Sequence, residues 1–287
     1  MRKIKRKIKN MGMSVKRLHR TKLFHISRLK LGRFRQKIKV YIEKGNFVIK
    51  TVENSRELED VLRLRFTVFY QEMLEKNALI QSDIDQFDFI CDHLVVFDKE
   101  KEKYVGTYRL NLSSFSKKFY SSQEFDIDNI LRLPDTKLEL GRACVDKEYR
   151  TGIIIALLWR GLAEYVRLSG ARYLFGCSSV KTTDIHDVSL LYLYLMQHHS
   201  APDELAVVPH KNFRVPNLTE HIKNSKYTKE EISRAKSLLP PLLSFYLKAG
   251  AYVCGEPALD KAFKCVDFFT ILDMKNLSET LEKKYSV

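Results

Sequence analysis

Leu138-Glu139-Leu140-Gly141-Arg142-Ala143-Cys144-Val145-Asp146-Lys147-Glu148-Tyr149-Arg150-Thr151-Gly152 is the stretch that decides the fold. Its first half is a strand-type segment carrying a carboxylate and a guanidinium three residues apart. Its second half is a polar turn that ends in Arg150 and Gly152. The apolar run Ile153-Ile154-Ile155-Ala156-Leu157-Leu158-Trp159 follows, opening a helix that Gly170 stops. A strand, an Arg-x-Gly turn and a helix N-terminus together expose backbone N–H groups that can hold an acyl or phosphate oxygen. Acyl transfer from a carrier is the chemistry this implies. On that reading Cys144, Val145, Arg150 and Gly152 form the carrier-docking and oxyanion edge.

Outward from this stretch, strand and helix signals alternate. Phe47–Val52 reads as a strand, and Ser55 as the N-cap of a helix running through Phe69 to Met73, with Glu57 and Glu59 in its first turn. Gln81–Asp92 is an acidic, aromatic loop. His93–Phe97 and Val105–Leu110 form a hairpin across the charged run Asp98–Lys103. Tyr173–Ser178 is a further strand and Asp187–His198 a helix. A polar stretch continues to about Ser237, followed by a helix over Leu242–Lys248 and strands at Ala251–Cys254 and Cys265–Leu272. The expected architecture is one α/β domain over residues 46–287, a mixed sheet flanked by helices.

The net charge of +15 resides in the first 44 residues, which hold 17 Lys or Arg and one acid, Glu43. The rest is near neutral, with 33 basic and 34 acidic residues. Residues 1–45 are therefore expected to be a separate basic arm. In it Ile4, Ile8, Met11, Val15 and Leu18 share one helical face with cations between them, the pattern of a peripheral anchor on anionic lipid over residues 1–40. A solvated arm is the alternative. Nucleic acid is disfavoured, because aromatic residues are sparse and no nucleic-acid module follows. No apolar run approaches the ~20 residues that span a bilayer. The five scattered cysteines lack metal-ligand spacing and fit a reducing cytoplasm.

Several segments, in order, carry a family resemblance. They are Arg63-Leu64-Arg65-Phe66-Thr67-Val68-Phe69-Tyr70, Asp85-Gln86-Phe87-Asp88 with Cys91-Asp92-His93-Leu94, Val105–Leu110, Glu139-Leu140-Gly141-Arg142, and Leu174–Ser179. Leu239–Leu243, Gly255-Glu256-Pro257-Ala258 and Asp267-Phe268 complete the set. From Phe47 to Met274 the chain resembles the ornithine–acyl carrier protein N-acyltransferases. These are a branch of the GCN5-related N-acyltransferase fold, related to the acyl-homoserine-lactone synthases. The resemblance implies a mixed, mostly antiparallel sheet, with Leu174–Ser179 as the strand that splays from the Glu-bearing one. It also implies transfer of a (3-hydroxy)fatty acyl group from acyl carrier protein to the α-amine of an amino acid, with ornithine the expected acceptor and no metal or cofactor. Glycine or another amino acid is the alternative acceptor, and a signal synthase or a non-catalytic lipid- or carrier-binding protein the alternative class. One departure bears on the donor. Coenzyme A-dependent relatives place a second glycine where Ile154 stands, and that side chain is expected to crowd a pyrophosphate. Phosphopantetheine on a carrier protein has no pyrophosphate to seat.

The reaction needs a proton acceptor for the amine, donors for the oxyanion and a cationic clamp for the acceptor carboxylate. Glu139 is the first choice of base, direct or through water. Residues three apart on a strand face opposite ways, so Arg109 is expected to be its partner rather than Arg142. Arg65, Arg109 and Arg142 are candidates for the substrate carboxylate or for locking the acidic loop. Asp85 and Asp88 are candidates for the incoming ammonium or for capping that loop. Asp92 with His93 is a weaker base pair, and Phe69 and Phe87 are expected to wall the acceptor pocket. Cys144 and Cys177 lie in apolar segments without a nearby His, which argues against an acyl-enzyme. His186, His198 and His199 give no ligand set.

Overall fold

Around Gly45-Asn46 the alternation of apolar and polar residues closes a hairpin, β1 (Tyr41–Lys44) with β2 (Phe47–Thr51), in which Lys44 pairs with Phe47. Gly45 sits at φ +57°, the left-handed conformation such a turn requires. The computed structural model describes residues 31–32, 34–75, 82–224 and 227–277. The amphipathic pattern over residues 4–18 lies outside them. The folded body starts well before residue 46: Leu31, Phe34 and Val40 are buried, and Lys37 and Ile38 donate their backbone N–H groups to Asp92. The boundary expected at 45/46 cuts through a hairpin, because a run of cations hid its period-two pattern.

Helix α1 (Ser55–Phe66) follows, capped by Asn54 rather than Ser55. The Asn54 side chain accepts from the N–H groups of Arg56 and Glu57. The helix then widens into a π-turn over Thr67–Glu72 that carries Phe69. Strands β3 (Asp92–Asp98) and β4 (Lys103–Leu112) form the expected hairpin. After β5 (Phe125–Asp126) and α2 (Asp128–Arg132) comes β6 (Thr136–Val145), then α3 (Ile153–Ser169) and β7 (Ala171–Val180). The chain continues through α4 (Ile185–His199), β8 (Val208–Pro209), α5 (Leu218–Asn224), α6 (Lys229–Leu238) and α7 (Pro241–Ala249). It closes with β9 (Tyr252–Val253), β10 (Ala258–Asp260) and β11 (Cys265–Asp273). Two helices, α5 and α6, thus stand in the stretch read only as polar.

The main sheet runs β1-β2-β3-β4-β6-β7-β11-β10, and every neighbouring pair is antiparallel except β6 with β7. That parallel pair is a βαβ unit whose crossover is α3. On α3 the residues Ile154, Leu158, Leu162 and Tyr165 recur at helical spacing and are all buried. They lie on the sheet face formed by Ile49, Leu94, Leu110 and Leu138. Each such aliphatic side chain contributes ~1.5–3 kcal/mol. Gly161 sets how closely helix and sheet pack, since a Cβ there would stand 2.5 Å from the Ile49 side chain and 2.9 Å from that of Leu94, and both would have to shift.

Candidate active site

β6 and β7 pair only from Thr136 to Glu139 on one strand and Ala171 to Phe175 on the other. Beyond that point β6 stays with β4 and β7 stays with β11, so the sheet forks. Gly176 stands at the fork against the Leu140 carbonyl oxygen, with which any Cβ would collide. A cavity of about 250 Å³ occupies the fork. Strand alternation determines what lines it. Leu138 and Leu140 point to the α3 face, where Tyr108, Trp159, Leu174, Leu242 and Tyr246 make an apolar wall. Glu139, Cys177, Ser179 and Asp267 point the other way, so the opposite wall is polar. The cavity passes through the sheet and joins the two faces.

The polar side is organised by three arginines and three aspartates. Arg65, fully buried, donates Nε to Asp83 at 2.8 Å and Nη1 to Asp88 at 2.6 Å. Arg109 donates Nη1 to both Asp85 oxygens at 2.8 and 2.7 Å, and to Asp88 at 3.2 Å. Arg142 reaches Asp83 through Nε and Asp85 through Nη2, each at 3.2 Å. Asp85 also caps the short helix Gln86–Phe89, and Asp88 closes that capping box. Burial works against the charge on Asp88, but Arg65 and Arg109 hold its carboxyl well below the usual carboxylate range. The charges balance and lock the acidic loop to β4 and β6.

Arg142 joins this network despite standing three residues from Glu139. It adopts φ +50°, and the β4–β6 register shifts between Thr107 and Arg109, opposite this segment. The irregularity turns its guanidinium to the polar side, 4.9 Å from the Tyr120 ring centroid and 5.8 Å from that of Phe263. It lines the cavity together with Arg109 and Phe69.

Glu139 is not paired with Arg109. Its carboxylate accepts from Ser121 N–H at 2.7 Å, Ser121 Oγ at 2.8 Å, Tyr120 N–H at 2.9 Å and Asn111 Nδ2 at 3.5 Å. These bonds pin the segment Tyr120–Glu124 over the fork and set Glu124 against Asp267 on β11. Both of those carboxyls are buried, and Glu124 Oε2 and Asp267 Oδ1 find no donor. Burial and the neighbouring Asp267 push Glu124 up to about 9, and burial raises Asp267 as well. Each carboxyl is thus harder to ionise than an exposed acid, because burial and the neighbouring carboxyl oppose its charge. Asp260, Cys265 and Asp267 bring one ligand atom each within 4.8 Å of one another, the only such trio of His, Cys, Asp or Glu among the described residues.

Sequence reasoning singled out neither Asp83 nor the Glu124–Asp267 pair as site residues. The available signal was Asp267 itself, an acid inside the apolar strand Cys265–Leu272. The remaining candidates stand away from the cavity wall. Asp92 accepts from Lys37 N–H, Ile38 N–H and Tyr165 Oη, tying the N-terminal segment to the sheet. His93 faces Phe34 and the Asp88 carbonyl, and burial lowers it to about 4. Cys144 is buried in the β4–β6 ladder, and burial raises its thiol to about 12. Arg150 donates to the Val145 carbonyl and to Glu72, and Gly152 begins α3 at φ +88°. Ile154 is turned into the core against Gly106, so it does not crowd the turn; the exposed side chain at the helix start is Ile153.

A forked α/β sheet with a charged pocket at the fork defines an N-acyltransferase-type protein, and residues 64–160 match the family described as acetyltransferase (GNAT) domain. The L-ornithine N(alpha)-acyltransferase of Brucella abortus (strain 2308) is 32% identical over 250 residues, covering 82% of this chain and 86% of that one. That of Rhizobium meliloti (strain 1021) is 32% identical over 251 residues, 82% of each. The chain belongs to the L-ornithine N(alpha)-acyltransferase family and is an acyltransferase. Among solved structures, the acyl-homoserine-lactone synthase LasI superposes with a TM-score of 0.48 at 9% identity, over 84% of this chain and 95% of that one.

Proposed function

We propose that the protein transfers a (3-hydroxy)fatty acyl group from the phosphopantetheine thioester of acyl carrier protein to the α-amine of ornithine, giving a lyso-ornithine lipid. The observation that carries this reading is the cavity through the fork. Its apolar wall on the α3 face suits an acyl chain, and its charged wall suits an amino acid, so donor and acceptor meet from opposite faces. The family's activity names the acceptor. The neutral amine attacks the thioester carbon, the C–N bond forms, the C–S bond breaks, and the carrier thiol leaves with a proton. Glu139 takes the amine proton through a water, since its own oxygens are already held by Tyr120, Ser121 and Asn111. The cavity-facing edge of Arg142 meets the acceptor carboxylate. The unpaired strand edges beyond Glu139 supply backbone donors to the oxyanion. No metal or cofactor takes part.

No described helix is long and apolar enough to cross a membrane. Residues 1–30, with most of the positive charge, bring the enzyme to the anionic inner surface where an amphiphilic product belongs. The exposed Ile153 and the half-exposed Arg150 offer an acidic carrier protein an apolar and cationic landing edge. The test is incubation of purified protein with ornithine and either acyl carrier protein or coenzyme A thioester, followed by tandem mass spectrometry. Acylation at the α-nitrogen from the carrier thioester supports the reading. Absence of any acyl-ornithine from either donor overturns it.

A further inference from the structure

We propose that Asp267, backed by Glu124, is the subsite that holds the distal ammonium of the acceptor, and so selects a diamino acid. The inference rests on the ornithine reading and adds what recognises the side chain. Asp85 and Asp88 are already spent on Arg65, Arg109 and Arg142, so neither offers a free charge to an incoming cation. Asp267 differs. It pairs with Ser179 across the β7–β11 ladder and lines the cavity, is 3% exposed, and has an oxygen that no donor reaches. Glu124, behind it, is equally buried and also has an oxygen without a donor.

The groups around the pair supply no compensating cation. Asp260 and Cys265 come from β10 and β11, Cys177 from β7, Tyr120 from the pinned segment, and Arg142 from β6. Arg142 is the sole cation among them, and its guanidinium is engaged by Asp83 and Asp85. A buried carboxyl oxygen that no donor reaches is costly, and a ligand ammonium arriving through the cavity supplies the missing donors to Asp267 Oδ1 and Glu124 Oε2. An amino acid with a cationic side chain fits this polar wall in one sense, carboxylate at Arg142 and ammonium at Asp267. That placement leaves the α-amine toward Glu139 and the fork. A divalent ion is the less suitable occupant, because burial and the adjacent acids keep the Cys265 thiol protonated.

The test compares full-length wild type, Asp267→Asn and Glu124→Gln with carrier thioester and two acceptors, ornithine and norvaline, which lacks the distal amine. The expected result for Asp267→Asn is a KM for ornithine raised about 10-fold or more, with kcat/KM for norvaline within about 2-fold of wild type. Glu124→Gln moves the same way. An unchanged ornithine KM, or equal losses with both acceptors, overturns the subsite. If Asp267→Asn fails to fold, wild-type binding decides: ornithine must raise the melting temperature more than norvaline, and equal shifts overturn the proposal. Activity lost on chelation and restored by a divalent ion assigns the cluster to a metal and overturns it too. A wild type inert to ornithine sinks both readings, whereas an active wild type with an indifferent Asp267→Asn sinks this one alone.

Discussion

Glu139 holds a loop as well as lining a cavity, and its substitution separates two roles. Gln at 139 presents an amide N–H₂ to a site where every partner is a donor. Glu139→Gln is expected to cost ~1–3 kcal/mol in a denaturation experiment and to lower kcat about 100-fold. A folded variant with wild-type kcat removes Glu139 from the chemistry. Arg65 has no such duality: it is fully buried between Asp83 and Asp88, so Arg65→Met should destabilise by ~3–5 kcal/mol in urea. A loss below ~1 kcal/mol would contradict the locked-loop account. His93 gives a pH dependence. The unfolded chain takes a proton there near pH 6.5, the folded chain only near 4, because burial excludes the charged ring. Stability is therefore lost as pH falls from about 6.5 towards 4 and is fully present above that window, with a total on the order of 3 kcal/mol. His93→Gln should flatten the urea midpoint across the window, and an unchanged slope excludes His93 as the cause. At this scale Glu139, Arg109 and Arg142 could be singled out because acids and arginines on strands stand out; of the two expected wall residues, Phe69 lines the cavity from the π-turn and Phe87 does not. The partners of the charged groups were not legible, since partners are set by loops that pack from elsewhere.

The fork is the element on which the site depends, and one residue guards it. Gly176→Ala drives a Cβ into the Leu140 carbonyl, so β7 must move away from β6. The expected outcome is loss of acyl transfer together with a lowered melting temperature; a fully active Gly176→Ala protein would show that the fork tolerates rearrangement. The strand, turn and helix of residues 138–169 could be read from the sequence because their periodicities are strong and their breakers, Gly152 and Gly170, are well placed. The left-handed Arg142 could not, since a bulge depends on the partner strand's register. The Gly45-Asn46 turn was a readable hairpin signal, obscured by the cations around it. It follows that removal of residues 1–30 should leave the enzyme folded but reduce its partition onto anionic liposomes. Removal of residues 1–44 should unfold it by exposing the sheet edge and deleting Phe34 and Val40. Unchanged partition of the shorter deletion would end the case for a membrane-bound arm.

At the scale of the molecule, the cavity at the fork joins two unlike sheet faces. The α3 face was visible as apolar periodicity, and the opposite face as scattered charges whose convergence only the folded chain reveals. Family membership fixes the class of reaction, and the opening suggests how it runs: acyl chain and amino acid occupy the cavity together, and the amine attacks the thioester directly. The cysteines that line the cavity support this order, since burial raises the thiols of Cys177 and Cys265 and disfavours the thiolate an acyl-enzyme would need. The most direct test is the initial-rate pattern with acyl carrier protein thioester and ornithine varied against each other. Intersecting reciprocal plots, reporting a ternary complex, are the predicted result; parallel lines, with acyl-enzyme trapped on a cysteine, would contradict it.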